Sequence, residues 1–308
     1  MKTERYWPEG RRLSSPENDR LTASAEGLRT ACTEGILCEG LAVRCDAAHN
    51  LYVELPCGEG IIPREEGAEG IAEGTTRDIA LLARVGKPVC FAVSSVTASD
   101  GKVRALLSRR EAQARCRREY LNNLTVGDIV PARVTRLEPF GAFCDIGCGI
   151  SALLPIAGLS VSRIAHPSDR VSVGEDIFAV VSSLEDGRVC LSMRELLGTW
   201  EQNAARFAAG DTVAGIVRSV ESYGVFIELA PNLAGLAELR TDLSVGDYAG
   251  VYIKSILPEK MKIKLAIVDT NPPPPTPRPL PYTATSGHIT RWDYAPSGAN
   301  KQIFSEFS

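Results

Sequence analysis

Several things are scarce or missing in this sequence, and each absence excludes something. It holds only three histidines, His49, His166 and His288, far apart along the chain. A zinc or catalytic centre built on histidine therefore has little to draw on. The nine cysteines are odd in number and include no C-x-x-C pair. A secreted disulfide framework shows an even, closely spaced set, so these read as free thiols in a reducing compartment. No apolar run approaches the roughly 18 residues of a membrane span, and Met1 to Pro8 carry no apolar leader. The expectation is a cytoplasmic protein with no membrane partner. A P-loop, a G-x-S-x-G elbow and an H-E-x-x-H helix are all missing. Gly147-Cys148-Gly149-Ile150-Ser151-Ala152 matches a dinucleotide fingerprint only superficially, because the apolar run stops at Pro155 instead of opening a helix. No cofactor, no metal and no enzymatic activity are expected. Positive charge is not in excess either. The net charge of −4 counts against a protein that grips nucleic acid mainly by attraction to phosphate.

What is present is repetition. Val126-Gly127-Asp128-Ile129-Val130 through Phe140-Gly141-Ala142-Phe143 returns as Ala209-Gly210-Asp211-Thr212-Val213 through Tyr223-Gly224-Val225-Phe226, at a constant offset of 83 residues. A weaker copy, His49 to Leu55, aligns with Phe140 to Ile146 and with Tyr223 to Leu229. A second phrase begins at Val85-Gly86, Val173-Gly174 and Val245-Gly246. Each time it leads through an apolar strand and a polar turn into a basic-apolar strand: Lys102 to Ser108, Arg188 to Ser192 and Lys262 to Ala266. Alternation and β-branched residues predict strands at 129–137, 142–146, 151–154, 177–184 and 188–192, with Gly and Asp at the turns.

Five short strands per unit without long helices predict small closed barrels. The fold class is mainly β: three tandem five-stranded barrels of the OB type with short linker helices. The expected boundaries are an N-terminal extension at 1–33, a degenerate barrel at 34–112, barrels at 125–194 and 209–268, and a Pro-rich linker with an aromatic tail at 269–308. Helical stretches are expected at 111–121 and 195–208, with one or two turns at 78–84 and a short helix within 17–30. Pro272 to Pro275 form a stiff spacer. The tail beyond holds Tyr282, Trp292, Tyr294, Phe304 and Phe307, too many rings for a solvated disordered segment. It either docks on its own modules or waits for a partner.

The middle unit, with Glu138-Pro139-Phe140-Gly141-Ala142-Phe143-Cys144-Asp145-Ile146-Gly147 and Gly187-Arg188-Val189-Cys190-Leu191-Ser192-Met193-Arg194, resembles the S1 RNA-binding domain family. The third unit resembles it in shortened form, and the first through the internal repeat. The resemblance implies an OB fold that binds single-stranded RNA on one face, with two aromatics around the second strand and a basic residue on the fifth. The aromatics carry over to Phe140 and Phe143, to Tyr223 and Phe226, and to Tyr52 beside His49. The basic residues carry over to Arg188, Lys262 and Arg104, with Arg194 and Lys264 alongside. A histidine that closes the family's third strand is replaced here by Pro63, Pro155 and Glu238, and Glu238 would repel phosphate. The implied partner is single-stranded RNA, mRNA in particular, with the small ribosomal subunit as a further partner and translation as the setting. Because the middle unit keeps both rings and Arg188, RNA is expected to bind there most strongly.

A flat ring can stack on any base. However, residues three apart in a regular strand face opposite sides, so both rings of a pair reach one face only if the intervening Gly permits a bulge. Otherwise one ring belongs to the core. Arg188 and Lys262 read equally as phosphate contacts or as a solvated strand edge. Arg109, Arg110, Arg115, Arg117 and Arg118 read as an extension of an RNA path or as a solvated linker helix. The competing function is a protein-interaction or ribosome-docking module without appreciable affinity for free RNA.

Overall fold

The computed structural model describes residues 6–99, 101–185, 187–273 and 279–307. Of the proline run, Pro274 and Pro275 lie outside the described residues. The chain forms two compact units. The first comprises the chain up to Leu124 together with Asp145–Ser151; the second comprises Thr125–Cys144 and the chain from Ala152 onward. No described helix is long and apolar enough to cross a membrane.

In the first unit, strands β1 (Cys38–Cys45), β2 (Leu51–Leu55), β3 (Gly58–Ile62), β4 (Lys87–Ser99) and β5 (Lys102–Ser108) close into a barrel in the order β1-β2-β3-β5-β4. Period-two alternation sends Leu51, Val53 and Leu55 into the core and leaves Tyr52 and Glu54 outside. The helix expected within 17–30 is two helices, α1 (Pro16–Thr22) and α2 (Ala25–Glu34). The break falls at Ser24, whose hydroxyl accepts from the Gly27 N–H and starts α2 afresh. Helix α3 (Ile79–Leu82) lies between β3 and β4, and α4 (Arg109–Glu119) follows β5, capped by Ser108.

The first unit also buries a carboxylate cluster. Glu9 receives the Arg109 guanidinium at 2.6 Å and Arg84 at 3.2 Å. Its own N–H donates to Asp145 Oδ2 at 2.7 Å. Glu39 accepts from the N–H groups of Gly10 and Arg12 through Oε2, while its Oε1 is buried with no hydrogen-bond partner. Burial raises the pKa of Glu9, but Arg109 and Arg84 outweigh it and hold the carboxyl below its ordinary value. Burial, aided by the neighbouring Glu9, raises Asp145 well above the carboxylate range and Glu39 to about 7.

The second unit holds two barrels of the same topology. One is built from β6 (Ile129–Glu138), β7 (Gly141–Asp145), β8 (Ser151–Pro155), β9 (Asp176–Glu185) and β10 (Arg188–Ser192). The other is built from β11 (Thr212–Glu221), β12 (Gly224–Ala230), β13 (Leu233–Ala237), β14 (Tyr248–Leu257) and β15 (Lys262–Asp269). Short helices α5 (Ile156–Leu159) and α6 (Trp200–Ala204) join elements.

The repeated Gly-Asp phrase has a structural cause. Asp128, Asp211 and Asp247 each accept, at 2.7–2.8 Å, from the N–H three residues earlier. The preceding Gly127, Gly210 and Gly246 adopt positive φ and donate to Val181, Ile253 and Val217 of a neighbouring strand. The phrase is thus the turn that starts a barrel strand.

Two devices hold the second unit together. Glu228 on β12 accepts both arms of Arg170 at 2.8 and 2.9 Å and the Nε of Arg218 at 2.8 Å, and Arg218 also reaches Asp169 at 3.1 Å. Asn232, fully buried at φ 64, accepts from the Val161 N–H at 2.7 Å and donates to the Arg194 carbonyl at 2.7 Å. Its own carbonyl accepts from the Tyr294 hydroxyl. The tail docks on this unit. β16 (Arg291–Asp293) pairs with β17 (Phe304–Glu306), Trp292 and Tyr294 enter the third barrel's core cluster, and Phe307 packs with Ile129, Val180 and Leu196.

Two outcomes follow. A carboxyl whose folded pKa is raised holds its proton more firmly folded than unfolded, so its stabilisation is lost as pH rises through the folded value. Glu9 acts oppositely, but only as pH falls below its unfolded value. The first unit should therefore melt higher at pH 5 than at pH 8, and Glu39→Gln should flatten that difference in thermal denaturation. Asn232→Ala should destabilise the second unit by about 3–5 kcal/mol in urea, because it strands buried polar partners and leaves Ala at positive φ.

Candidate nucleic-acid interface

The two ring pairs stand in matching geometry. Phe140 and Phe143 lie 6.1 Å apart at 89°, and Tyr223 and Phe226 lie 6.1 Å apart at 88°. Neither pair needs the expected bulge at the intervening glycine. Phe140 and Tyr223 sit in the two-residue turns Pro139-Phe140 and Ser222-Tyr223, ahead of the strands, and Phe143 and Phe226 point outward from β7 and β12. Phe140 is 55% exposed and Tyr223 68%, while the strand rings are half-buried, so no ring of either pair is core. The glycine serves a different purpose. A Cβ on Gly141 or Gly224 would come within 2.5 Å of the Leu154 or Ala237 carbonyl oxygen, so these positions let the third strand approach. A bulge does exist, but on the first strand, between Ala42 and Arg44 in β1 and between Val217 and Ser219 in β11.

Strand register places the site of each barrel on one row. In the third barrel the row runs Ser219, Phe226, Leu236, Lys264, Ser255 across β11, β12, β13, β15 and β14. In the first it runs Arg44, Tyr52, Ile61, Leu106, Ser95. In the middle barrel Leu153 pairs with Cys190, and Arg188 lies two residues along the same face of β10. Lys262 and Lys264 share the outward face of β15. Both lysines and Arg188 are exposed, with no carboxylate partner among the described residues.

The rows differ in chemistry. Arg44 lies over the Tyr52 ring at 3.4 Å, and the Tyr52 hydroxyl donates to Asp46 at 3.2 Å. Arg136 lies over Phe143 at 4.6 Å. The matching position in the third barrel is Ser219, so Phe226 has no such cover. In the first barrel Arg104 faces Glu59 across the strands, with Glu54 next in the row, and His49 turns away to Asp78 at 3.3 Å. Arg194 leaves the face: it bonds Glu195 at 3.1 Å and the tail's Ser305 at 3.0 Å. Glu238 is paired with Lys254 at 3.0 Å, which offsets its charge.

The arginines of α4 make no open path. Arg109 is buried on Glu9, and Arg110, Arg115, Arg117 and Arg118 pair with Glu66, Glu111, Glu69 and Glu119. Among the described residues, no cluster of His, Cys, Asp and Glu could hold a metal ion. Sequence reasoning missed Arg44 and Arg136. Their signal was an arginine seven or eight positions before the strand aromatic in two of the three copies.

Closed five-stranded barrels with outward aromatics on the second strand and bases on the fifth define a tandem OB-type protein. Residues 123–194 match the family model of the S1 RNA binding domain. Its curated relatives include small ribosomal subunit protein bS1 of Streptococcus pneumoniae, 30% identical over 230 residues that cover 68% of this chain and 57% of that protein. The protein of the same name from Rhizobium meliloti is 26% identical over 82% of this chain and 50% of its own length. The chain thus spans about half the length of these relatives. Among solved structures, a multidomain protein with nucleic acid binding domains from Streptococcus pneumoniae aligns over 75% of this chain and 72% of its own, at 14% identity and a TM-score of 0.24.

The exposed turn rings carry no core contacts. Tyr223→Ala and Phe140→Ala should each leave thermal stability within about 0.5 kcal/mol of the parent.

Proposed function

We propose that the chain binds single-stranded RNA, mRNA in particular, through the outward rows of its second and third barrels, and that it does so in translation at the small ribosomal subunit. The observation that carries this reading is the recurrence of one ring pair, at one separation and angle, beside exposed bases on the fifth strand in two barrels. A perpendicular pair of outward rings offers one base a face and an edge at once, and the adjacent Arg188 or Lys262 meets the phosphate. The match of residues 123–194 to the S1 RNA binding domain and the similarity to bS1 proteins support the same reading. A chain of net charge −4 would depend on such rings more than on charge.

A second reading attaches to the first barrel. Its ring face is covered by Arg44, its turn position is held by His49, and Glu59, with Glu54 next in the row, faces Arg104. Such a face suits contact with a protein better than contact with phosphate.

Titration with short single-stranded RNA tests the proposal. Phe143→Ala and Phe226→Ala should each weaken binding by about 1–3 kcal/mol, and duplex RNA should compete poorly because its bases are already stacked. Unchanged affinity in both folded variants, or one-for-one displacement by duplex, would falsify the stacking role.

A further inference from the structure

The third barrel's rings stand in a groove rather than on an open wall. A hollow of about 480 Å³ is lined by Tyr223, Phe226 and Lys262 of the barrel, by Arg163 from the connection after β8, and by Lys301 from the tail. A second hollow of about 410 Å³ shares Arg163 and Lys301 and continues to Arg194. The connection and the tail therefore border both hollows, which lie side by side and share Val161, Ser162 and Ile303 as well.

Lys301 is held in place. The Asn300 N–H donates to the Glu259 carbonyl at 3.3 Å, the Tyr294 N–H donates to the Ile303 carbonyl at 2.9 Å, and Tyr294 is anchored in the core. Among the described residues Lys301 has no carboxylate partner. Arg163 is 82% exposed at its side chain and only grazes Glu221 at 3.5 Å. Lys260, Lys262, Arg163 and Lys301 thus face one groove against Glu221, a local positive excess in an acidic chain.

We infer that the docked tail and the β8–β9 connection complete a composite single-strand site on the third barrel. Bases stack on Tyr223 and Phe226, Lys262, Arg163 and Lys301 hold the phosphodiester chain, and the strand runs on toward Arg194. The inference rests on the RNA-binding reading above. It makes the third module the stronger site, where sequence alone favours the middle one. The matching surface of the middle barrel has Arg136 engaged with Glu138 at 3.2 Å.

The test is fluorescence anisotropy of the full chain with labelled oligouridylate of about 12 nucleotides, within the span of one OB module, at several salt concentrations. Lys301→Gln and Arg163→Gln should each weaken binding about three- to tenfold and lower the slope of log affinity against log salt by about 0.7, the value of one released phosphate contact. Arg188→Gln should cost less than either, and Lys301→Arg should restore binding. Tryptophan fluorescence reports whether the tail stays docked through Trp292. If the docked Lys301→Gln/Arg163→Gln double variant keeps parental affinity and slope while Tyr223→Ala weakens binding, the composite site is wrong and the RNA-binding reading stands. If the parent chain does not bind the oligonucleotide, both fall.

Discussion

Glu228 sits on the outward face of β12, where a solvated residue would be ordinary, and instead is buried between two guanidinium groups. A carboxylate taken out of water is costly unless its charge and lone pairs are met. Here Arg170, from the loop before β9, supplies a bidentate pair. Arg218 supplies a third bond and returns to Asp169, so two acids and two bases cancel. Arg218 can do this because β11 bulges at its position, between Val217 and Ser219. Once this cluster is closed, the segment 160–170 lies against the third barrel, Asn232 can bind Val161, and Arg163 borders the ring groove. Removing one partner would leave a buried charge uncompensated, at a cost of about 3–5 kcal/mol.

The three barrels show what a shared framework fixes and what it leaves open. Strand order and the position of the outward ring on the second strand are common to all three, and the Gly-Asp turn that starts a strand recurs in the second and third. The residues around the ring are not shared. One barrel covers its ring with arginine and surrounds it with acid, one covers it with arginine beside a free base, and one leaves it bare among lysines.

The fold was legible because its determinants are local. Alternation in Leu51-Tyr52-Val53-Glu54-Leu55 and the recurring Gly-Asp turns are read within a few residues, and the strands of the middle barrel lie where alternation placed them. The rings at Phe140, Phe143, Tyr223 and Phe226 were legible through the repeat. How both rings of a pair reach one face was not, because the turn ring lies outside the strand whose periodicity was being counted. Arg109, Arg110 and Arg117 of α4 were equally opaque, since their carboxylate partners Glu9, Glu66 and Glu69 are distant in sequence, Glu9 being 100 residues from Arg109. Lys301 shows no pattern at all. It gains meaning only through the pairing of β16 with β17 and the burial of Tyr294, and neither leaves a periodic trace.

Holding the first ring in a turn also separates two selective pressures. Tyr223 and Phe140 contribute nothing to barrel closure, whereas the neighbouring Gly141 and Gly224 cannot be exchanged without displacing a strand. On the RNA-binding reading proposed above, substituting one turn residue would retune a module's grip on its ligand while the barrel's folding free energy stays where it was. A tandem array made this way is tunable piece by piece: His49 stands at the turn position of the first barrel, which keeps its closed fold without a ring there. On that reading the avidity of the whole array would be set by how many copies carry the turn ring, independently of how many carry the fold.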